Sequence, residues 1–361
     1  KEMFDNLILE ECESLYIQNK TDSIDNQTVS QGNEAGNETS WFETQGIGAQ
    51  PVPSLEGASA PAFQWHVGVY SKSWSPFMQI CGGSLVKRDF VISAAHCFWD
   101  SSTGLQPISM FAVAAGKLYR PWNDQQDVYS QQSDVAEIII PVRFRGSATS
   151  FQDDIAILRL SIPFTYAPGV QSVCVDFGMA FDREQLQPGN LGTVAGWGLT
   201  EANGVPSQRL NYLMLPYVDL EECFASSDPS FYKYITSDKI CAGTQTGKAL
   251  CRGDSGGGLV LFSNSATPYL RGIASTAANN DNLCNAYTLA AFTHIYAHRS
   301  FLRDTIPDIE QECGLSKVNI LLNNFERICV DCNRFRDNMF VEHDLGFIKV
   351  HPETEALREL T

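Results

Sequence analysis

From about residue 52 to residue 306 the chain breaks into short apolar runs separated by turn residues, and no other feature restricts its fold as much. Trp65-His66-Val67-Gly68-Val69-Tyr70, Asp89-Phe90-Val91-Ile92-Ser93, Met110-Phe111-Ala112-Val113-Ala114 and Val135-Ala136-Glu137-Ile138-Ile139-Ile140 each have the length and the branched or aromatic content of a strand. Gly192-Thr193-Val194-Ala195-Gly196-Trp197-Gly198 and Leu270-Arg271-Gly272-Ile273-Ala274-Ser275 continue the pattern. Many short strands joined by Gly/Pro turns predict an all-β barrel or sandwich. The exception is Ile295-Tyr296-Ala297-His298-Arg299-Ser300-Phe301-Leu302-Arg303, whose spacing is helical and which Pro307 closes.

Residues 1–51 lack that rhythm. They are acidic and rich in Asn, Gln, Ser, Thr and Gly, with too little apolar surface to offset the entropy of ordering, so a disordered segment is expected. The sequons at Asn19, Asn26 and Asn37 cluster there, as in a glycosylated stalk. Eleven cysteines point to an oxidising compartment, and with the sequons to a secreted, extracellular protein. A net charge of −17 excludes nucleic acid as a partner. No apolar run is long enough to cross a membrane, so no membrane partner is expected either. Lys1-Glu2-Met3-Phe4-Asp5 has no signal-peptide character, as expected of a processed or partial form.

The chemistry lies in three segments. Cys251-Arg252-Gly253-Asp254-Ser255-Gly256-Gly257 sets a serine among tight glycines, which exposes an alcohol nucleophile. Upstream are Ser93-Ala94-Ala95-His96-Cys97 and Asp153-Asp154-Ile155-Ala156-Ile157-Leu158. A serine hydroxyl is a weak nucleophile at neutral pH and needs a base to take its proton, a role that His96 can fill if a carboxylate holds its tautomer.

In motif, order and spacing these segments resemble the trypsin/chymotrypsin family of serine peptidases, over about residues 52–306. The resemblance implies a chymotrypsin-like all-β fold of two packed six-stranded antiparallel barrels with a C-terminal helix. His96 and Asp154 would come from the first barrel and Ser255 from the second. The implied plan is a pro-segment at 1–51, a catalytic domain at 52–306 and a tail of unknown role at 307–361. The family pattern puts the triad aspartate directly before the Ile-Ala-Ile-Leu strand, selecting Asp154 over Asp153. Gly253 and Ser255 would supply the oxyanion-hole amides. Asp254 could be a plain turn residue; the resemblance implies that it pairs with an amino terminus released by zymogen cleavage. The Ile-Val-Gly-Gly start expected shortly before Trp65 is absent, and no basic residue precedes Val52 or Ser54.

The same resemblance implies the disulfides Cys81–Cys97, Cys223–Cys241 and Cys251–Cys284, and a tether from Cys12 to Cys174. Cys313, Cys329 and Cys332 stay unassigned. Cys329 and Cys332 with His343 and His351 miss zinc-finger spacing. Some relatives bind calcium through a glutamate after an Ala-Gly pair; here Lys117 follows Ala115-Gly116, and its ammonium would repel that ion, so no metal and no cofactor is expected.

The primary pocket would have Ala249 at its floor, where trypsin-like enzymes carry aspartate, with Ser275, Ala277 and Ala290 along its walls. A buried Lys or Arg would be unpaired there. Alanines replace the usual wall glycines, so cleavage after small or medium apolar residues is expected, Leu, Val and Ala above Phe and Tyr; the alternative is a collapsed pocket that a protein partner opens. Gly258, the non-basic activation region and Tyr234-Ile235-Thr236-Ser237-Asp238-Lys239-Ile240-Cys241-Ala242-Gly243 look like the modular serine proteases of arthropod immune cascades. Protein or peptide substrates, a downstream protease zymogen and a protein inhibitor are the implied partners. The competing reading is an inactive homologue acting as a binding or cofactor module.

Overall fold

The computed structural model describes residues 50–51, 63–199, 205–244, 250–251, 253–277 and 288–311. The chain divides into two units, Lys1–Thr44 and Gln45–Thr361, and all described residues belong to the second. Residues 1–49, with Cys12, Asn19, Asn26 and Asn37, therefore lie outside the described residues, as do Ala249, Cys284 and the stretch from residue 312 onward.

In chain order the strands are β1 (Gln50–Pro51), β2 (His66–Ser71), β3 (Met78–Lys87), β4 (Phe90–Ser93), β5 (Trp99–Asp100), β6 (Gly104–Leu105), β7 (Phe111–Ala115), β8 (Gln131–Ile139) and β9 (Ala156–Leu160). They continue as β10 (Leu191–Gly196), β11 (Asn211–Val218), β12 (Lys239–Ala242), β13 (Gly258–Phe262), β14 (Pro268–Ala277) and β15 (Ala290–His294). Six of them close the first barrel in the order β2-β3-β4-β9-β8-β7. The second runs β11-β10-β13-β14-β15-β12 and closes through the β11–β12 pairing, with β1 added outside β11. Every pairing within the barrels is antiparallel, so the expected all-β, two-barrel fold is the one observed.

Three apolar clusters hold this together. Val67, Leu85, Phe111 and Leu158 fill the first barrel, and Val194, Leu213, Ile240 and Phe292 fill the second. Between them, Ile92, Ile155 and Ile157 from one barrel pack on Val260, Leu270 and Ile273 from the other, and Leu302 and Ile306 of the C-terminal segment join in. Each such side chain, taken fully out of water, contributes roughly 1.5–3 kcal/mol. This double burial explains why β2 and β4 are buried at every position, whereas β8, with one wet face, alternates.

The helical spacing near the C-terminus resolves into a 3-10 turn, Tyr296–His298, running into the helix Arg299–Thr305. Packing goes on past Pro307: Ile309 is buried, and Glu310 accepts from the Phe177 amide at 3.0 Å. Two short helices, Met179–Gln185 and Leu220–Ser226, interrupt the strand pattern. The second starts on Asp219, whose carboxylate caps the Glu222 amide at 2.9 Å.

Candidate active site

Strand register puts His96 and Asp154 together. β4 and β9 are antiparallel neighbours with Ser93 opposite Ala156, so the turn leaving β4 and the loop entering β9 share one end of the barrel. His96 lies on that turn (Ala95–Phe98), which the Cys81–Cys97 disulfide ties to β3. Asp154 immediately precedes Ile155 and β9. The His96 Nδ1 is 2.8 Å from Asp154 Oδ2, and the His96 amide donates to Oδ1 at 2.9 Å. Ser275 Oγ adds a third hydrogen bond, 2.6 Å to Oδ2. The Asp154 side chain has no exposure and that of His96 keeps 22%.

Burial opposes charge on both partners, and in both cases the pairing wins. Burial alone would lower the His96 pKa, but the Asp154 charge and hydrogen bond raise it. Burial alone would raise the Asp154 pKa, yet His96, Lys239 and Ser275 together hold it below the usual carboxylate range. Asp153 points elsewhere: its carboxylate is 3.1 Å from Arg143 Nε.

Ser255 sits on the loop entering β13. The Gly256 amide donates to Ala274 O, and the Ala274 amide donates back to Gly257 O, both at 2.8 Å. This anchors the serine loop on β14 directly before Ser275. On the other side, the Gly82 amide donates to Ser255 O at 2.8 Å, and Gly82 O accepts from Ser93 Oγ at 2.8 Å. The serine loop is thus bonded through one residue to the end of β4, where the His96 turn begins.

The Gly253 φ of +107° is a conformation that side chains avoid, and an added Cβ would meet the Gly198 Cα at 3.1 Å. Gln79 Nε2 donates to Gly253 O at 3.1 Å and to Cys81 O at 3.0 Å. Asp254 is buried against Gly198, which has no room for a side chain there. The Gly198 and Cys251 amides donate to its carboxylate at 2.8 and 3.0 Å. Burial outweighs these two bonds and pushes its pKa up to about 6. Among the described residues, no cation forms an ion pair with it.

Ser275 lies on β14, and Ala277 is paired with Ala290 of β15. The disulfides Cys81–Cys97 and Cys223–Cys241 are both present. Cys174 and Cys251 are also disulfide-bonded, while Cys12 and Cys284 lie outside the described residues. Lys117 Nζ rests on Asp127 Oδ2 at 2.7 Å, and both side chains are buried. Of the histidines without a motif, His294 binds Asp182 at 3.0 Å and His298 binds Asp238 at 3.2 Å. His66 packs at a tilt against Trp197 with centroids 5.1 Å apart, and burial holds its pKa down to about 4. The sequence alone gave no sign of Gln79 behind the Gly253 carbonyl, nor of Lys239 beside Asp154; both depend on register between distant segments.

Two antiparallel six-stranded barrels, with a histidine–carboxylate pair from one and a glycine-bounded serine from the other, define the chymotrypsin class of serine protease folds. The trypsin family matches residues 54–298, and the chain belongs to that family. Clotting factor C of Tachypleus tridentatus is 31% identical over 310 residues, which cover 82% of this chain and 29% of that protein. A modular serine protease of Drosophila melanogaster is 31% identical over 242 residues, 64% of this chain and 36% of that protein. Proclotting enzyme of Tachypleus tridentatus is 31% identical over 228 residues, 61% of this chain and 58% of that protein. The chain spans roughly a third of the length of the first two relatives.

Proposed function

We propose that this chain is a secreted serine endopeptidase, made as a zymogen and working in a proteolytic cascade. The observation that carries the reading is the buried Asp154 carboxylate on His96 Nδ1, held by Ser275 at the foot of the strand that also anchors the Ser255 loop. With Nδ1 so engaged, the other ring nitrogen of His96 takes the Ser255 hydroxyl proton as the oxygen attacks a peptide carbonyl. The Gly253 and Ser255 amides stabilise the oxyanion, His96 returns the proton to the leaving amine, and water then releases the acyl group by the reverse sequence. Ser255→Ala should abolish peptide hydrolysis while leaving the fold intact, because the loop's backbone bonds remain. Residual turnover in that variant would end the reading and favour an inactive homologue with a contaminating activity.

The finer parts rest on the sequence and on this site together. Cleavage after Leu, Val or Ala is favoured by Ala277 and Ala290 standing where glycines are usual and by Ala249 in place of aspartate. A peptide-library profile tests this, and a preference for Arg or Lys would refute it. Asp254, with a pKa of about 6 and two backbone amides as partners, suits a precursor in which the cation for that carboxylate has yet to arrive. The pro-segment 1–51, glycosylated at Asn19, Asn26 and Asn37 and tied by Cys12 to Cys174, would stay attached to the catalytic domain 52–306 after activation. The relatives named for clotting support a place among extracellular cascades, with a protease zymogen as substrate and a protein inhibitor as regulator.

A further inference from the structure

The segment Tyr234–Gly243 is not used by the mechanism above, yet it reaches the triad. Lys239 opens β12 and is paired with Thr293 of β15, so register alone brings the two side chains together. Lys239 Nζ has no solvent exposure. It donates to Thr293 Oγ1 at 3.0 Å and to Phe151 O at 2.7 Å, and lies 3.4 Å from Asp238 Oδ2. Thr293 Oγ1 in turn donates to the backbone carbonyl of Asp154 at 2.9 Å. Asp238 Oδ2 accepts from the Asp153 amide, also at 2.9 Å. Two neighbouring residues of the second barrel therefore hold Phe151, Asp153 and, through Thr293, Asp154 of the first.

The held loop needs holding. Ser150, Phe151 and Asp153 have φ of +52°, +55° and +58°, left-handed conformations that side chains seldom adopt and that persist only where the surroundings over-determine them. Phe151 packs edge-on against the His96 ring, with centroids 5.9 Å apart, so a slack loop would also release the imidazole.

We propose that Asp238 and Lys239 are positioning residues that clamp the Asp154 loop across the two barrels and set the charge environment of His96. The proposal rests on the peptidase reading above. The charged groups around Lys239 are Asp238 immediately before its strand, Asp153 and Asp154 on the held loop, His96 beyond Asp154, His298 on the C-terminal 3-10 turn and Arg143 on the far side of Asp153. Asp238 stays ionised: burial opposes its charge, but His298, Lys239, Thr236 and the Asp153 amide hold its pKa low. The nearby ammonium acts on His96 in the sense that lowers its pKa, against Asp154, which raises it. Removing the ammonium therefore moves the loss of active base to higher pH.

The test uses the full chain after activation, with wild type, Lys239→Met, Lys239→Arg and Thr293→Val compared. Lys239→Met should raise the acid-limb midpoint of kcat/KM, and Lys239→Arg should restore it. Turnover should fall about tenfold in Lys239→Met, with KM nearly unchanged, because the loop no longer holds the triad in place. A superimposable pH profile in Lys239→Met would overturn the proposal, as would failure of Lys239→Arg to restore it. Proton NMR titration of the His96 ring in wild type and Lys239→Met reads the same shift without any turnover. Hence a wild type that hydrolyses nothing sinks the peptidase reading, while the titration still decides this one. If Lys239→Met does not fold, Thr293→Val, which keeps the charge and cuts the bridge to Asp154, should lower turnover with KM unchanged; wild-type turnover there would overturn the clamp.

Discussion

Asp154 and Asp254 are both buried carboxylates within the same site, and they are treated in opposite ways. Asp154 receives an imidazole, a hydroxyl and a backbone amide and feels a buried lysine; its pKa is held low. Among the described residues Asp254 receives the Gly198 and Cys251 amides, and burial pushes it up to about 6. The difference, among the described residues, is one of completion. Asp154 has its counter-charges in place there, whereas no described cation pairs with Asp254. On the proposed peptidase reading, this contrast makes the Ser255 loop the point of control.

The largest expected effect is on the completed half. Asp154→Asn should lower turnover by about 10⁴, the magnitude known for this substitution in the Ser-His-Asp triad of serine proteases, since the amide holds the wrong tautomer. Asp153→Asn, whose side chain meets Arg143, should be mild by comparison. Steady-state kinetics of the two variants distinguishes them, and the reverse order would break the assignment.

A buried carboxylate with its own cation provides the reference case. Asp127 is neutralised by Lys117 and accepts from the Leu118 amide at 2.7 Å. Lys117→Met should cost about 3–5 kcal/mol in urea unfolding, because it leaves Asp127 buried and unpaired. A loss under 1 kcal/mol would mean that a buried carboxylate here tolerates isolation, and the contrast drawn for Asp254 would weaken.

For Asp254 the pH dependence has a definite sign. Its folded pKa of about 6 exceeds the 3.8 expected when unfolded, so between those values the folded chain binds more protons. Stability from this group is therefore present below about pH 4 and is lost as pH rises through about 6, by about 3 kcal/mol in all. Thermal unfolding from pH 4 to pH 7 should show the decline in the precursor, lose it in Asp254→Asn, and lose it again once cleavage supplies an amino terminus. The smallest effect concerns Gln79, whose replacement by leucine leaves the Gly253 carbonyl without its donor. About 1–2 kcal/mol, or roughly tenfold in the acylation rate, is expected.

Much of this was legible in the sequence. The apolar runs announced the strands, and the three motifs mark segments that hydrogen bonds link across the two barrels. The boundaries shift where burial departs from simple alternation: β8 begins at the polar Gln131, several residues before Val135, because its pairing with β7 needs only backbone. The helix Leu220–Ser226 carried a readable signal in Asp219 and Glu222, spaced as a capping box. Lys239 and Gln79 carried none. A lysine next to an aspartate reads as solvated surface until the β12–β15 register turns it inward, and Gln79 gains its role only when a loop more than 170 residues later folds onto it.

The comparison of the two aspartates is tested most directly at Ser255. The full chain is treated with a fluorophosphonate before and after limited proteolysis, the labelling rate is measured, and the modified residue is located by peptide mass mapping. Slow labelling of the intact chain, a rise of about 10² or more after cleavage, and the label on Ser255 in both cases are expected. Equal rates before and after cleavage, with Ser255 labelled fast in the intact chain, would contradict this expectation, and so would the absence of any labelling.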